Sequence, residues 1–285
     1  MKTLAFGEVL WDVFPNGEFI GGAPLNFAAH LSKMGEETYV LTSVGNDDLG
    51  TKTLKIIDDF DVKTDYISVL EGFETGKCLV TLNDNKVPQY NLLDNVAYDE
   101  IWVENIPDDF DVLYFGTLAL RNDFNRNSLN KLLENNSFKE IFVDVNIRPP
   151  FYSKETVEFA VSNATILKIS DEELPKIADV LGLCFEADFA KRLCERYENL
   201  KLVIITLGSK GSYCYEKSNN SEHSAGCVET IVASTVGAGD SFSAAFLHKY
   251  LYGDDIQTCL NFASKISGFV VSKTEAIPNY NVENF

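Results

Sequence analysis

Residues 234 to 246 read Ser-Thr-Val-Gly-Ala-Gly-Asp-Ser-Phe-Ser-Ala-Ala-Phe. Two glycines one residue apart stand directly before an acidic residue. From Ala238 onward Phe242, Ala245, Phe246 and Lys249 fall on one helical face. A tight Gly-rich turn that feeds a helix N-terminus aims free N–H groups and the positive end of the helix dipole at one spot, where an anion binds. Asp240 then lies in the first turn, beside that anion. A carboxylate there would repel a phosphate unless it had a task, and accepting a proton from an attacking hydroxyl is such a task. On this segment alone helix capping is an equal reading, because Asp is favoured in first turns and Gly-x-Gly occurs in ordinary turns. The segment is not a P-loop. The chain holds no Gly-x-x-x-x-Gly-Lys-Ser/Thr, and the nearest run, Gly76-Lys77, continues with Cys78 and has Glu71 at the first glycine position. Nor is it a dinucleotide fingerprint, since Gly237-x-Gly239 is followed by Phe242 near the C-terminus.

The elements that would position this turn alternate. Strands are expected at 3–8, 38–44, 112–116, 140–145, 165–168 and 202–207. Helices are expected at 25–34, 47–60, 124–136, 154–162, 171–181, 186–197, 238–251 and 255–272. Continuous apolar runs such as Leu202-Val203-Ile204-Ile205 suit strands covered on both faces, as in a parallel sheet. The order is that of a layered βαβ domain. Residues 76–91 break the alternation and read as a hairpin with its turn at Asn83-Asp84-Asn85-Lys86. Residues 11–20 look like a second β excursion, and the two together could form a small sheet over a cleft. Ligands of open α/β sheets sit beyond the carboxyl ends of the strands. There the sequence places Asp12, then Asn146 and Arg148, then Ser170-Asp171-Glu172-Glu173, then Gly208-Ser209-Lys210-Gly211. That convergence favours catalysis over capping for Asp240.

Bulk properties narrow the class. The 285 residues suffice for one large α/β domain or two small ones, and 45% hydrophobic residues supply a sizeable core. A formal charge of −19 argues against a nucleic-acid surface, so positive potential for a phosphate ligand must be local, from amides, a helix end, a cation, Arg148 or Lys168. Six cysteines without Cys-x-x-Cys and only three histidines leave a structural zinc site unsupported. Scattered thiols, an N-terminus polar too early for a secretory signal, and no apolar run of about 20 residues point to a soluble cytoplasmic protein, with no membrane partner.

Taken in order, these motifs resemble the ribokinase/PfkB family of ATP-dependent sugar kinases, most nearly its bacterial fructokinase branch. Gly7-Glu8 to Asp12 comes first, then Gly21-Gly22-Ala23-Pro24-Leu25-Asn26, then Val44 to Gly50. Thr75-Gly76, Val96-Ala97-Tyr98-Asp99, Asp144-Val145-Asn146-Ile147-Arg148, Thr206 to Gly211 and Thr235 to Asp240 follow. The resemblance implies a three-layer αβα ribokinase-like fold with a mainly parallel central sheet. It implies one kinase domain over 1–285, with a small β lid from about 11–20 and 76–98.

The resemblance also implies roles. Asp240 would deprotonate the acceptor hydroxyl, and amides of Gly237, Ala238 and Gly239 would hold charge on the transferred group. Asp12, Gly21, Gly22, Asn26, Asn146 and Arg148 would bind the sugar and the phosphate it receives. Lys168, Ser170, Thr206, Gly208 and Gly211 would face ATP, though Lys168 reads equally as a rim lysine. Glu173 would organise Mg²⁺ through water. The acceptor would be fructose, with 2-keto-3-deoxygluconate, ribose or a nucleoside as rivals; Phe19, Tyr98 and Trp102 could stack a nucleoside base. A non-catalytic sugar sensor is the rival from another class, and intact Asp240 and glycines argue against it. Three departures stand out. Ser234 replaces a frequent Asp, Lys273-Thr274-Glu275-Ala276 replaces a usual Gly-Ala, and Ser170 replaces Asn. The first two put potassium activation in doubt. An exposed lid edge would allow a homodimer.

Overall fold

The computed structural model describes residues 1–15, 17–82 and 88–285. In chain order the elements are β1 (Lys2–Phe6), β2 (Leu10–Phe14), β3 (Gly17–Gly21), α1 (Ala23–Lys33), β4 (Glu37–Gly45), α2 (Asp48–Asp59), β5 (Ile67–Leu70), β6 (Gly76–Leu82) and β7 (Pro88–Leu92). Then come β8 (Val112–Phe115), α3 (Asp123–Asn135), β9 (Glu140–Asp144), α4 (Lys154–Asn163), β10 (Ile166–Ser170), α5 (Leu174–Leu181) and α6 (Phe189–Arg196). The chain closes with β11 (Leu202–Thr206), β12 (Ser212–Glu216), β13 (Ser221–Ala225), α7 (Ala238–Leu251) and α8 (Ile256–Val271).

The large sheet runs β13-β12-β11-β10-β9-β8-β1-β4-β5. From β5 to β11 every neighbouring pair is parallel, whereas the β11–β12 and β12–β13 pairs are antiparallel. Period-2 alternation divides its side chains between two layers. Leu4, Phe6, Leu113, Phe115, Val143 and Val203 pack with α3 to α6, whereas Ala5, Val40, Tyr114, Phe142 and Ile204 pack with α1, α7 and α8. With helices on both faces, the apolar runs read from sequence are buried on each side.

The second sheet has the order β3-β2-β6-β7. β2 pairs β6 in parallel with Asp12 opposite Cys78, and β6 pairs β7 in antiparallel register. Its apolar underside is a small core of its own, including Leu10, Cys78, Val80, Val96, Tyr98 and Leu118. The turn expected at 83–86 lies outside the described residues, as does Asn16. Asp47 ties this sheet to the large one. Its carboxylate caps α2 through the Gly50 N–H (2.7 Å) and accepts from the Thr75 N–H (2.8 Å) and hydroxyl (2.6 Å) at the entry to β6. Burial pushes this carboxyl up, but those donors outweigh it and hold Asp47 below the ordinary range.

Several boundaries differ from the sequence expectation. The helix expected at 171–181 starts at Leu174, because Pro175 fits only the first turn and the Glu173 side chain captures the Ser170 N–H ahead of it. The helix expected at 186–197 is shortened to Phe189–Arg196. The strand expected at 3–8 ends at Phe6, where Gly7 turns with φ +146°. β5, β12 and β13 are additions to the expected strands. β13 reads Ser-Glu-His-Ser-Ala on an exposed edge, where little apolar pattern is required.

Under the small sheet, Arg121 donates to both oxygens of Asp99 (2.7 and 2.6 Å) and to the Leu93 carbonyl (2.7 Å). Its guanidinium lies 4.9 Å from the Tyr98 ring centroid and 4.8 Å from that of Phe151. Both charges of the pair are nearly buried. Removing one partner leaves the other uncompensated, so Arg121→Ala should lower unfolding free energy by roughly 3 kcal/mol in a urea titration.

Candidate active site

The glycine turn adopts the geometry its spacing implies. Gly237 has φ +79° and precedes α7; a Cβ there would approach the Ala276 carbonyl to 2.5 Å, so the position admits only glycine without rearrangement. The N–H groups of Gly237, Gly239 and Asp240 have no partner among the described residues. Ala238 differs, because its N–H leans toward the Thr235 carbonyl at 3.3 Å. Free donors at a helix N-terminus are the geometry an anion hole requires.

Asp240 lies half-buried in that first turn. The Asn26 side-chain amide, from the first turn of α1, donates to its Oδ2 at 2.7 Å. Burial first, and then Asp144, push the carboxyl up to about 6; Asn26, Lys168 and Arg148 oppose them. A carboxyl poised near 6 is ionised at neutral pH yet basic enough to take a proton.

Lys168 is not a rim lysine. It is buried on β10, donates to Asp144 Oδ2 at 2.7 Å, and would meet a Cβ on Gly239 at 3.3 Å. The register explains the pair, since Lys168 stands opposite Asp144 on parallel β10 and β9. Ser243 of α7 adds a long hydroxyl contact to the same carboxylate oxygen at 3.4 Å. The sheet thus places a cation directly beneath the N-terminus of α7.

On the acceptor side, Gly22 has φ +117°, and a Cβ there would come within 2.3 Å of the Glu8 carbonyl. This close approach folds Gly21-Gly22 against the end of β1, with Gly21 beside Asp12 Oδ2. Asp12 is raised by burial, partly offset by Cys78 and Arg148. Arg148 is exposed after β9, holds no ion pair among the described residues, and acts electrostatically on Glu8, Asp12, Cys78 and Asp240. Asn146 precedes it with φ +41°, turning the chain at the strand end.

Glu173 accepts from the Ile147 N–H (2.7 Å) at Oε1 and from the Ser170 N–H (2.8 Å) and hydroxyl (2.6 Å) at Oε2. Oε1 keeps a free lone pair, and the residue is half-exposed. Among the described residues no cluster of three or more His, Cys, Asp or Glu could hold a metal alone. A single carboxylate acting through water beside nucleotide phosphates fits Mg²⁺, which keeps its own waters. Thr206 ends β11, and Gly208 (φ +56°) and Gly211 (φ +98°) shape the following turn, where a Cβ on Gly211 would strike the Ala225 carbonyl at 2.0 Å.

Sequence reasoning misses two carboxyls. Asp144 reads there only as part of a strand end; its pairing with Lys168 needs the β9–β10 register. Glu8 is buried behind Gly22 with Oε2 unpartnered among the described residues, and burial pushes it up to about 7. Only its position at a strand end signals it. Of the three aromatic residues considered for base stacking, Tyr98 is fully buried beneath Gly76 and Arg121, so its face is not free.

Residues 4–282 match the pfkB family of carbohydrate kinases. An uncharacterized sugar kinase of Archaeoglobus fulgidus is 28% identical over 85% of this chain and 93% of its own length. The probable fructokinase-4 of Arabidopsis thaliana is 26% identical over 99% and 94%. The 5-dehydro-2-deoxygluconokinase 2 of Bacillus cereus is 25% identical over 92% and 83%. Two solved structures share the fold. An uncharacterized sugar kinase from Pyrococcus horikoshii in complex with ATP superposes with TM-score 0.84 at 24% identity, covering 100% of this chain and 97% of that one. A nucleoside kinase from Methanocaldococcus jannaschii gives 0.79 at 23% identity, covering 100% and 98%. The chain belongs to the pfkB family of carbohydrate kinases. It is an ATP-dependent phosphotransferase with the ribokinase-like fold. No helix among the described residues is long and apolar enough to cross a membrane.

With Asp240 as the base that the resemblance implies, and burial pushing its carboxyl up to about 6, the rate should be sensitive to acid. Protonated Asp240 cannot accept the acceptor proton, so kcat/KM should fall tenfold per pH unit below about 6 and level off above it; a stopped-time ADP assay across pH checks this.

Proposed function

We propose that this kinase transfers the γ-phosphate of ATP to a primary hydroxyl of a small sugar, with fructose as the acceptor. The observation that carries the reading is the seam between α1 and α7. There the base Asp240, the free amides of Gly237 and Gly239, and the Gly21-Gly22 turn with Asp12 adjoin through the Asn26 contact. Asp12 accepts hydrogen bonds from acceptor hydroxyls, and the glycines let the backbone approach the sugar closely. A buried hydroxyl left unpaired would cost binding, so this carboxylate contributes selectivity.

Asp240 removes the hydroxyl proton as the acceptor oxygen forms its bond to Pγ and the bond from Pγ to the ADP oxygen breaks. The amides at the N-terminus of α7 hold the developing charge, with Lys168 beneath them and Arg148 at the strand end. Ser170, Thr206, Gly208 and Gly211 face the nucleotide. Bound Mg²⁺ would screen the β- and γ-phosphates, with Glu173 orienting its water shell. The small sheet serves as a lid within one domain, excluding water while the phosphate is in transit. A homodimer through its edge and a cytoplasmic location fit the same reading. Ser234 supplies no carboxylate, and its hydroxyl takes the Val236 N–H, so the site lacks that ligand for an activating potassium ion.

The named relatives include kinases for fructose, 5-dehydro-2-deoxygluconate and nucleosides. An acidic sugar is therefore the second reading, favoured by the unpaired Arg148. The sugar-sensor alternative has no support in a site with its base and anion hole intact. Mg-ATP turnover on fructose, ribose, 2-keto-3-deoxygluconate and adenosine, read as ADP release, tests the acceptor; a response to the acidic sugar alone would replace fructose. Asp240→Asn should lower turnover by roughly 10²–10⁴-fold without loss of fold, and near-normal turnover would remove Asp240 from its role. Glu173→Gln should raise the Mg²⁺ concentration for half-maximal rate about tenfold, with the acceptor KM within about twofold of wild type.

A further inference from the structure

Asn26 is the contact between two helices that the sequence separates by more than two hundred residues. Its Nδ2 donates to Asp240 Oδ2 at 2.7 Å, and its own Oδ1 is buried without a partner among the described residues. The helix that carries it is fixed from several sides. Pro24 lies in the first turn, and the Asn26 N–H donates to the Gly22 carbonyl at 2.9 Å. His30, one turn further along, contacts the Ala276 carbonyl at 3.0 Å and the Tyr280 hydroxyl at 2.8 Å. Ala276 is the residue that closes on Gly237. One segment therefore braces both α1 and the glycine turn, so the amide and the carboxylate are held to a common frame.

We propose that Asn26 is a positioning residue for the base: its amide occupies one oxygen of Asp240 and leaves the other as the oxygen that takes the acceptor proton. This role differs from direct sugar binding. A sugar-binding amide changes acceptor affinity, whereas a tether to the carboxylate changes the orientation and proton affinity of the base. The groups that face Asp240 from its surroundings are Glu8 after β1, Tyr114 on β8, Asp144 on β9 with Arg148 beyond it, and Lys168 on β10. Asp144 favours the protonated form of Asp240 and the two cations oppose it, while Asp240 in turn pushes Glu8 up. The Asn26 amide is the neutral donor that stabilises the ionised form directly, since a hydrogen bond to the charged state favours that state.

The catalytic part of this assignment rests on the kinase reading; the tether itself can be read without any acceptor. Protein labelled with ¹³C at aspartate carboxyls, with the Asp240 resonance assigned by its loss in Asp240→Asn, gives the titration of this one group. In Asn26→Leu, which keeps shape and removes the donor, the midpoint should move up by about one pH unit. Turnover at saturating acceptor should fall about threefold near pH 6.5 and recover toward wild type near pH 8.5. Asn26→Ala adds no bulk and repeats the test should the leucine variant fail to fold. An unmoved Asp240 midpoint in a folded variant overturns the proposal. So does a raised acceptor KM with kcat and pH profile unchanged, the signature of sugar binding alone. Because the titration uses no acceptor, failure of the tether and failure of the fructose assignment are told apart.

Discussion

Lys168 carries a positive charge into the interior of a protein whose formal charge is −19, and the site is arranged around that charge. Burial alone would lower the proton affinity of the ammonium. Asp144 at 2.7 Å, with Glu173 and Asp240 adding to it, outweighs burial and holds it charged and raised. Such a pair is weak evidence for stability, because desolvation of two ions offsets their attraction. Its value here is positional. The ammonium sits under Gly239, where the helix amides point outward, so cation and amides act on the same spot. With so negative a surface, attraction for a nucleotide cannot come from the protein's overall field and must be built at this point.

The same pair sets a limit on the base. Asp144 neutralises Lys168, yet it also lies close enough to Asp240 to raise it. An unpaired Lys168 would depress Asp240 and weaken it as a base. An unpaired Asp144 would push it further up. The pair, with Arg148 and the Asn26 amide, leaves the carboxyl near 6, between those extremes. Each contributor comes from a different element: β9, β10, the turn after β9, and α1. The fold class matters for this reason. A parallel sheet delivers several strand ends to one edge, and α7 then brings its N-terminus down onto that edge.

Much of this was legible in the sequence because the chemistry and the backbone demand the same residues. Gly237 must be glycine to close on Ala276, and Gly22 must be glycine to lie on the Glu8 carbonyl; these backbone constraints coincide with the positions proposed for phosphate and acceptor. The apolar strands were legible because burial on both faces leaves a continuous run. What escaped depended on register or on weak patterns. Lys168 could be read as a rim residue because its burial follows from β10 lying inside the sheet, between β9 and β11. Asp144 and Lys168 are neighbours only once β9 and β10 pair in parallel register. The edge strands β12 and β13 carry Ser, Glu and His where solvent accepts them. The start of α5 was misplaced because Glu173 spends its side chain on the backbone of 147 and 170 instead of continuing the helix.

The small sheet and the large one divide the labour at the seam that Asn26 crosses. Asp12 and Gly21 belong to the small sheet, and Gly22 leads from β3 straight into α1. Only five residues therefore separate the end of β3 from the amide that holds Asp240. The anchoring of α1 by His30 resists displacement, and burial pushes His30 down to about 4, so the ring stays neutral across the working range of the base. The brace does not titrate where the base does. Acceptor recognition and proton removal can then be coupled through one rigid helix turn, while the phosphate charge is met separately by α7 and Lys168. Such a division suits a scaffold whose relatives are named for different acceptors. The groups proposed to meet the acceptor sit on β2, β3 and the first turn of α1, on elements other than the strand ends beneath α7.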